Sequence, residues 1–103
     1  MQKAFICSAY RGDIVANVEK ARRYCLTALD HGYAPFAPHL LYPQFLTDES
    51  GEDRQTGMEC GIEFLKCCDV VFVFGEITEG MQKEIDEAIR LKKTISFQEA
   101  END

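Results

Sequence analysis

Residues Cys68-Asp69-Val70-Val71-Phe72-Val73-Phe74-Gly75 hold an apolar run in which no polar side chain alternates with the hydrophobic ones. A strand wetted on one face alternates. A run that is apolar throughout suits a central parallel strand covered by helices on both faces. Parallel strands need crossover connections, so this one segment restricts the chain to an α/β arrangement. Beyond Gly75, the segment Glu76-Ile77-Thr78-Glu79-Gly80-Met81-Gln82-Lys83-Glu84-Ile85 leads into an amphipathic pattern. Glycines, a hydroxyl and a carboxylate thus fall at the carboxyl end of a strand, where an open α/β sheet holds its ligand.

The rest of the chain fits the same plan. Ala4-Phe5-Ile6-Cys7 is a shorter apolar run, ended by Ser8-Ala9-Tyr10-Arg11-Gly12-Asp13, after which Ile14, Val18, Ala21, Cys25 and Leu29 recur at helical spacing. Asp13 is placed to cap that helix and Gly32 to stop it in left-handed backbone. Tyr33 to Pro38 reads as a second strand, at a sheet edge because Pro35 cannot donate a hydrogen bond. Residues 39–54 make a long excursion, apolar in front and polar behind, expected to serve as a flap or lid. A helix over 54–67 places Met58, Ile62 and Leu65 on one face. A further helix is expected to bury Met81, Ile85, Ala88 and Ile89, with Glu84, Asp86, Glu87, Arg90 and Lys92 mainly directed to solvent or at the edges of that stripe. Residues 93–97 supply a last strand, and Glu99 to Asp103 a frayed acidic end. Four strands alternating with three helices predict one three-layer α/β domain over residues 1–103, with right-handed crossovers. A topological switch beside the first strand brings the Ser8–Asp13 and Gly75–Glu84 loops to one crevice.

Composition narrows the partners. A chain of 103 residues supports one modest core, so an elaborate site must borrow from a second subunit. Eighteen acidic residues against 11 basic ones give a formal charge of -7, with no Lys/Arg cluster. That balance argues against duplex nucleic acid or a membrane surface as main partner, while local backbone donors and an arginine still suit a small anion. No apolar run approaches the roughly 20 residues that span a bilayer, and the start enters a strand directly, so a cytoplasmic protein is expected. The five cysteines lack the framework of a secreted domain and read as reduced core residues. With no C-x-x-C pair and no suitably spaced histidine, no metal is expected. The chain also lacks G-x-G-x-x-G after its first strand and G-x-x-x-x-G-K-[ST], and no cofactor is expected.

Each candidate residue carries a structural reading beside a functional one. Thr78 either caps its helix or caps it while offering a hydroxyl to a sugar or phosphate, and Gly80 opens the first-turn N–H groups to such a ligand. Gly75 ends the strand or keeps the crevice open, and Met81 is core or pocket wall. Glu84 is a solvated helix residue, or a carboxylate that attacks a sugar carbon or stabilises positive charge there. Arg11 can fork across a phosphate or carboxylate, and Tyr10 can stack on a base or pack under the lid. Ser8 belongs to the same loop. Asn17 contacts a ligand or covers the helix, and His39 orients substrate or makes a structural hydrogen bond. Asp48 and Glu59 are reserve acid/base candidates. Asp69 starts the central strand at its opposite, amino-terminal side.

Taken together, Ser8-Ala9-Tyr10-Arg11-Gly12, Asn17, Pro38-His39, Asp69 and Gly75-x-x-Thr78-x-Gly80-Met81-x-x-Glu84-Ile85 resemble the DUF4406-type proteins of the nucleoside 2-deoxyribosyltransferase-like superfamily, over roughly residues 3 to 97. The resemblance implies a Rossmann/flavodoxin-like domain with a short, mostly parallel four-stranded sheet. It also implies a nucleoside or nucleotide ligand, and deoxynucleoside 5'-monophosphate N-glycosidase or deoxyribosyltransferase chemistry. In that reading Glu84 attacks the anomeric carbon, Thr78 with the Gly80-Met81 backbone holds the sugar or 5'-phosphate end, and Arg11 helps to bind phosphate. A homodimer or higher homo-oligomer would complete the pocket. Two polar groups of the enzymes are missing: Phe5 stands where they commonly carry a tyrosine, and Gly61 where they carry an aspartate. Glu59 points elsewhere on a regular helix. The alternative is a non-catalytic sensor or binding module for a nucleotide-derived ligand.

Overall fold

A computed structural model describes residues 1–47 and 49–99. Strand β1 (Gln2–Cys7) is followed by helix α1 (Ile14–Asp30), β2 (Tyr33–Phe36), a one-turn helix α2 (Pro38–Leu41) and a 3-10 turn at Tyr42–Gln44. Then come α3 (Gly51–Leu65), β3 (Val70–Val73), α4 (Glu79–Arg90) and β4 (Thr94–Phe97). The sheet runs β2-β1-β3-β4 and every pair is parallel. The chain leaves β1 for one edge and returns past it to β3, so the switch lies beside β1 as its two loops require. Pro35 sits on edge strand β2, while all four residues of β3 are buried.

The core has two layers. On one face Phe5, Cys7, Val71 and Val73 pack with Leu65, Met81, Ile85 and Ala88. On the other, Ala4, Ile6, Val70, Phe72 and Phe74 pack with Tyr24, Ala28 and Ala37. Alternation along β1 therefore sends Phe5 and Cys7 toward α3 and α4, and Ala4 and Ile6 toward α1.

The caps form as the sequence requires. The Asp13 side chain accepts from Ala16 N at 3.1 Å, and Gly32 after α1 takes φ +85°. Several details differ. Helix α1 buries Ala21 of the expected stripe together with Tyr24 and Ala28, keeps Val18 and Cys25 half-buried, and leaves Ile14 and Leu29 exposed. The Tyr24 ring stacks on Phe74 with centroids 4.0 Å apart, and this contact turns the helix. In α4, Ile89 is 61% exposed and Glu84 only 4%, reversing their expected sides. Helix α3 starts at Gly51 rather than Arg54, because Ser50 Oγ caps it by accepting from Asp53 N at 3.3 Å. The thiols are not uniformly core residues: Cys7 and Cys68 are buried, Cys25 and Cys60 half-buried and Cys67 exposed. Most of the acidic end lies outside the described residues. Among the described residues no helix is long and apolar enough to cross a membrane.

Candidate active site

The carboxyl ends of β1 and β3, the start of α4 and the α2–α3 region enclose a crevice of about 590 Å³. Its walls include Ser8, Tyr10, Arg11, His39, Thr78, Gly80, Met81 and Glu84, so eight expected site residues meet in one place. Asn17 and Gly75 instead line an adjoining cavity of about 330 Å³, which shares Ser8 and Thr78 with the first. Glu59 lines neither; it is exposed and accepts from Gln55 Nε2 at 3.0 Å. Asp48 lies outside the described residues. Asp69 sits at the far end of the sheet, where it accepts from Lys3 N at 2.7 Å.

Local chemistry fixes these positions. Thr78 Oγ1 accepts from Met81 N at 3.2 Å, while Met81 Sδ accepts from Thr78 N at 3.5 Å, closing a reciprocal cap at the start of α4. Capping is thus established for Thr78, which also lies on the crevice wall. Gly75 turns the chain out of β3 with φ +78°, a conformation that a side chain would strain. Asn17 Nδ2 donates to Tyr10 O at 3.0 Å and Arg11 O at 3.1 Å, so Asn17 shapes the loop that presents Arg11. His39 Nε2 meets Ser8 O at 2.8 Å and its ring lies 5.1 Å from that of Tyr10, tying the β1–α1 loop to α2.

Glu84 is a buried carboxyl on α4. Burial pushes its carboxyl up to about 8, a rise that the neighbouring Cys7 thiol offsets only in part. Burial, then the Glu84 charge, pushes the Cys7 thiol far up as well. Among the described residues, three buried side-chain atoms have no hydrogen-bond partner: Ser8 Oγ, Tyr42 Oη and Glu84 Oε1. All three residues line the larger crevice. Each unpaired atom costs about 1–3 kcal/mol, so these three lining residues carry polar groups that the packing leaves unsatisfied. Arg11, Arg54 and Lys83 also line the crevice, with Asp53 and Glu79 as the acidic side chains beside Glu84. No group of three or more metal-ligating side chains occurs among the described residues.

Sequence reasoning missed Tyr42 and Cys7. An apolar tyrosine run and a core cysteine announce nothing until tertiary packing places them. Arg54 and Met58 were visible only as helix residues, although Ser50-x-x-Asp53 was a capping signal that would have drawn the start of α3 toward the crevice.

Fold and crevice together define an open α/β domain with a buried carboxylate at its topological switch. Residues 2–98 match the domain family described as a domain of unknown function (DUF7768), and the chain belongs to that family. No curated protein matches the sequence. Among solved structures, the chain is similar to a 2-deoxyribosyltransferase from Bacillus psychrosaccharolyticus at 17% identity and TM-score 0.74, covering 92% of this chain and 70% of that one. It is also similar to a 2-desoxiribosyltransferase from Leishmania mexicana at 11% identity and TM-score 0.67, covering 99% of this chain and 66% of that one. The shared property is the fold.

Proposed function

We propose that this protein binds a nucleoside or nucleotide in the Glu84 crevice and acts on its glycosidic bond, as an N-glycosidase or a deoxyribosyltransferase. The observation that carries this reading is Glu84 itself, a buried carboxyl with an unpartnered oxygen on the wall of a roomy crevice at the start of α4. The similarity to 2-deoxyribosyltransferase structures and the Gly75-x-x-Thr78-x-Gly80-Met81-x-x-Glu84-Ile85 motif support it. In the reaction, a carboxylate oxygen of Glu84 bonds to the anomeric carbon as the bond from that carbon to the base nitrogen breaks. The electron pair leaves with the base, which takes up a proton. Water or a second base then displaces the glycosyl ester and regenerates the carboxylate. Thr78 and the Gly80 N–H hold the sugar or phosphate end, Arg11 meets the phosphate and Tyr10 offers a face to the base. We place this activity in the cytoplasm and in a homo-oligomer.

A second reading, a binding module without chemistry, draws on Gly61. A Cβ at Gly61 would meet Pro38 Cβ at 3.7 Å, and Gly61 lies off the crevice wall. The position that carries an aspartate in the enzymes thus offers nothing to a leaving base.

Chromatography after incubation with nucleosides, deoxynucleosides and their 5'-monophosphates, with and without a second base, separates the two. We expect base release by the wild type and a loss of at least about 100-fold in Glu84→Ala. Tight binding without release by either protein would establish the module instead.

A further inference from the structure

Cys7 and Phe5 share a face of β1, and both are wholly buried against α4. Phe5 brings no hydroxyl to the carboxylate, so any polar support for Glu84 from this face comes from Cys7. Its Sγ lies 3.7 Å from the Met81 carbonyl oxygen, and the Glu84 carboxyl, buried on the same face of α4 one turn further on, is the second acceptor beside it. A thiol has one proton and cannot serve both acceptors fully at once. The two acceptors differ in need. Met81 O belongs to α4, where the helical ladder already supplies an N–H four residues on, whereas Glu84 Oε1 has no partner. Hydrogen bonds to an ionised acceptor are also about twice as strong as neutral ones.

We propose that Cys7 is the positioning residue for Glu84, its S–H moving from the Met81 carbonyl to the carboxylate when Glu84 ionises and so fixing the orientation of that carboxylate. The inference rests on Glu84 being the functional carboxylate of the crevice. It gives Cys7 a donor's role and not a nucleophile's, because burial and the Glu84 charge keep the thiol protonated. The charged residues of the crevice stand on other walls: Arg11 on the β1–α1 loop, Asp53 and Arg54 on α3, and Glu79 and Lys83 on α4. Cys7 supports Glu84 from the sheet.

The test follows the Glu84 titration by carbon NMR of carboxyl-labelled glutamate, assigned with Glu84→Gln. We expect an upward shift of the midpoint in Cys7→Ala and its return in Cys7→Ser, where a hydroxyl restores the donor. Base release at fixed pH should fall in Cys7→Ala and recover in Cys7→Ser. The wild type gives a readout that needs no Cys7 variant: its S–H infrared stretch should move to lower frequency as Glu84 ionises, a pH response that Glu84→Gln abolishes. An unmoved midpoint in folded Cys7→Ala, or an S–H band indifferent to Glu84 ionisation, overturns the inference. A displaced midpoint with no base release by any of these proteins supports the thiol's role and overturns the glycosyl-transfer reading.

Discussion

At the scale of single residues, Glu84 combines a cost to folding with a capacity for chemistry. Its carboxyl holds a proton in the folded protein up to about pH 8 but releases it near the ordinary 4.5 when unfolded. Between those values the native state binds more protons than the unfolded state, so stability falls as pH rises from 4.5 to 8 and levels off above. The upper bound on this loss is about 1.4 kcal/mol per pH unit. Glu84→Gln removes the titration. Urea unfolding should therefore show a stability advantage of Glu84→Gln over wild type that is smallest near pH 4.5 and grows up to pH 8. The same titration acts on the proposed reaction with the opposite sign, since the attacking carboxylate becomes more abundant through that interval and base release should increase with it. A pH-independent difference between the two proteins would remove the buried carboxyl from the account.

Among the elements, α3 decides how the α2 region is seated. Gly57 and Gly61 lie on its inner side, where an added Cβ would meet Leu46 Cδ1 at 3.7 Å and Pro38 Cβ at 3.7 Å respectively. Both are ordinary contacts. Gly61→Ala should thus keep the fold and gain up to about 1 kcal/mol from helix propensity in urea unfolding. Gly61→Asp places a carboxylate at a buried position against Pro38 and should cost about 1–3 kcal/mol at neutral pH. A destabilised Gly61→Ala would show that the contact is tighter than 3.7 Å allows. The apolar runs of β1 and β3, the edge position of Pro35, the Asp13 and Thr78 caps and the meeting of two loops at the switch were legible in the sequence, because each follows from local pattern and parallel-sheet topology. The facing of α1 was not, since stacking of Tyr24 on Phe74 joins residues 50 apart. Periodicity put Ile89 and Glu84 on the wrong sides of α4, because both sit at the border of its apolar stripe and only the crevice draws Glu84 inward. The unpartnered oxygens of Ser8 and Tyr42 are likewise products of packing.

The whole molecule leaves sizeable apolar surface uncovered. Phe45, Phe64 and Phe97 are exposed, and Phe64 stacks on Phe36 with ring centroids 4.8 Å apart. Large exposed apolar side chains suit association with a second copy. Light scattering should give a mass that is a multiple of 11.7 kDa; a mass of 11.7 kDa would leave the crevice complete within one chain. The graded burial of the five cysteines has a consequence for kinetics. A thiol reagent added to the native protein meets Cys67 at once, whereas Cys7 can react only after β1 and α4 part. The modification rate of Cys7 is therefore a clock for how often the ligand wall opens, read against Cys67 as its internal zero.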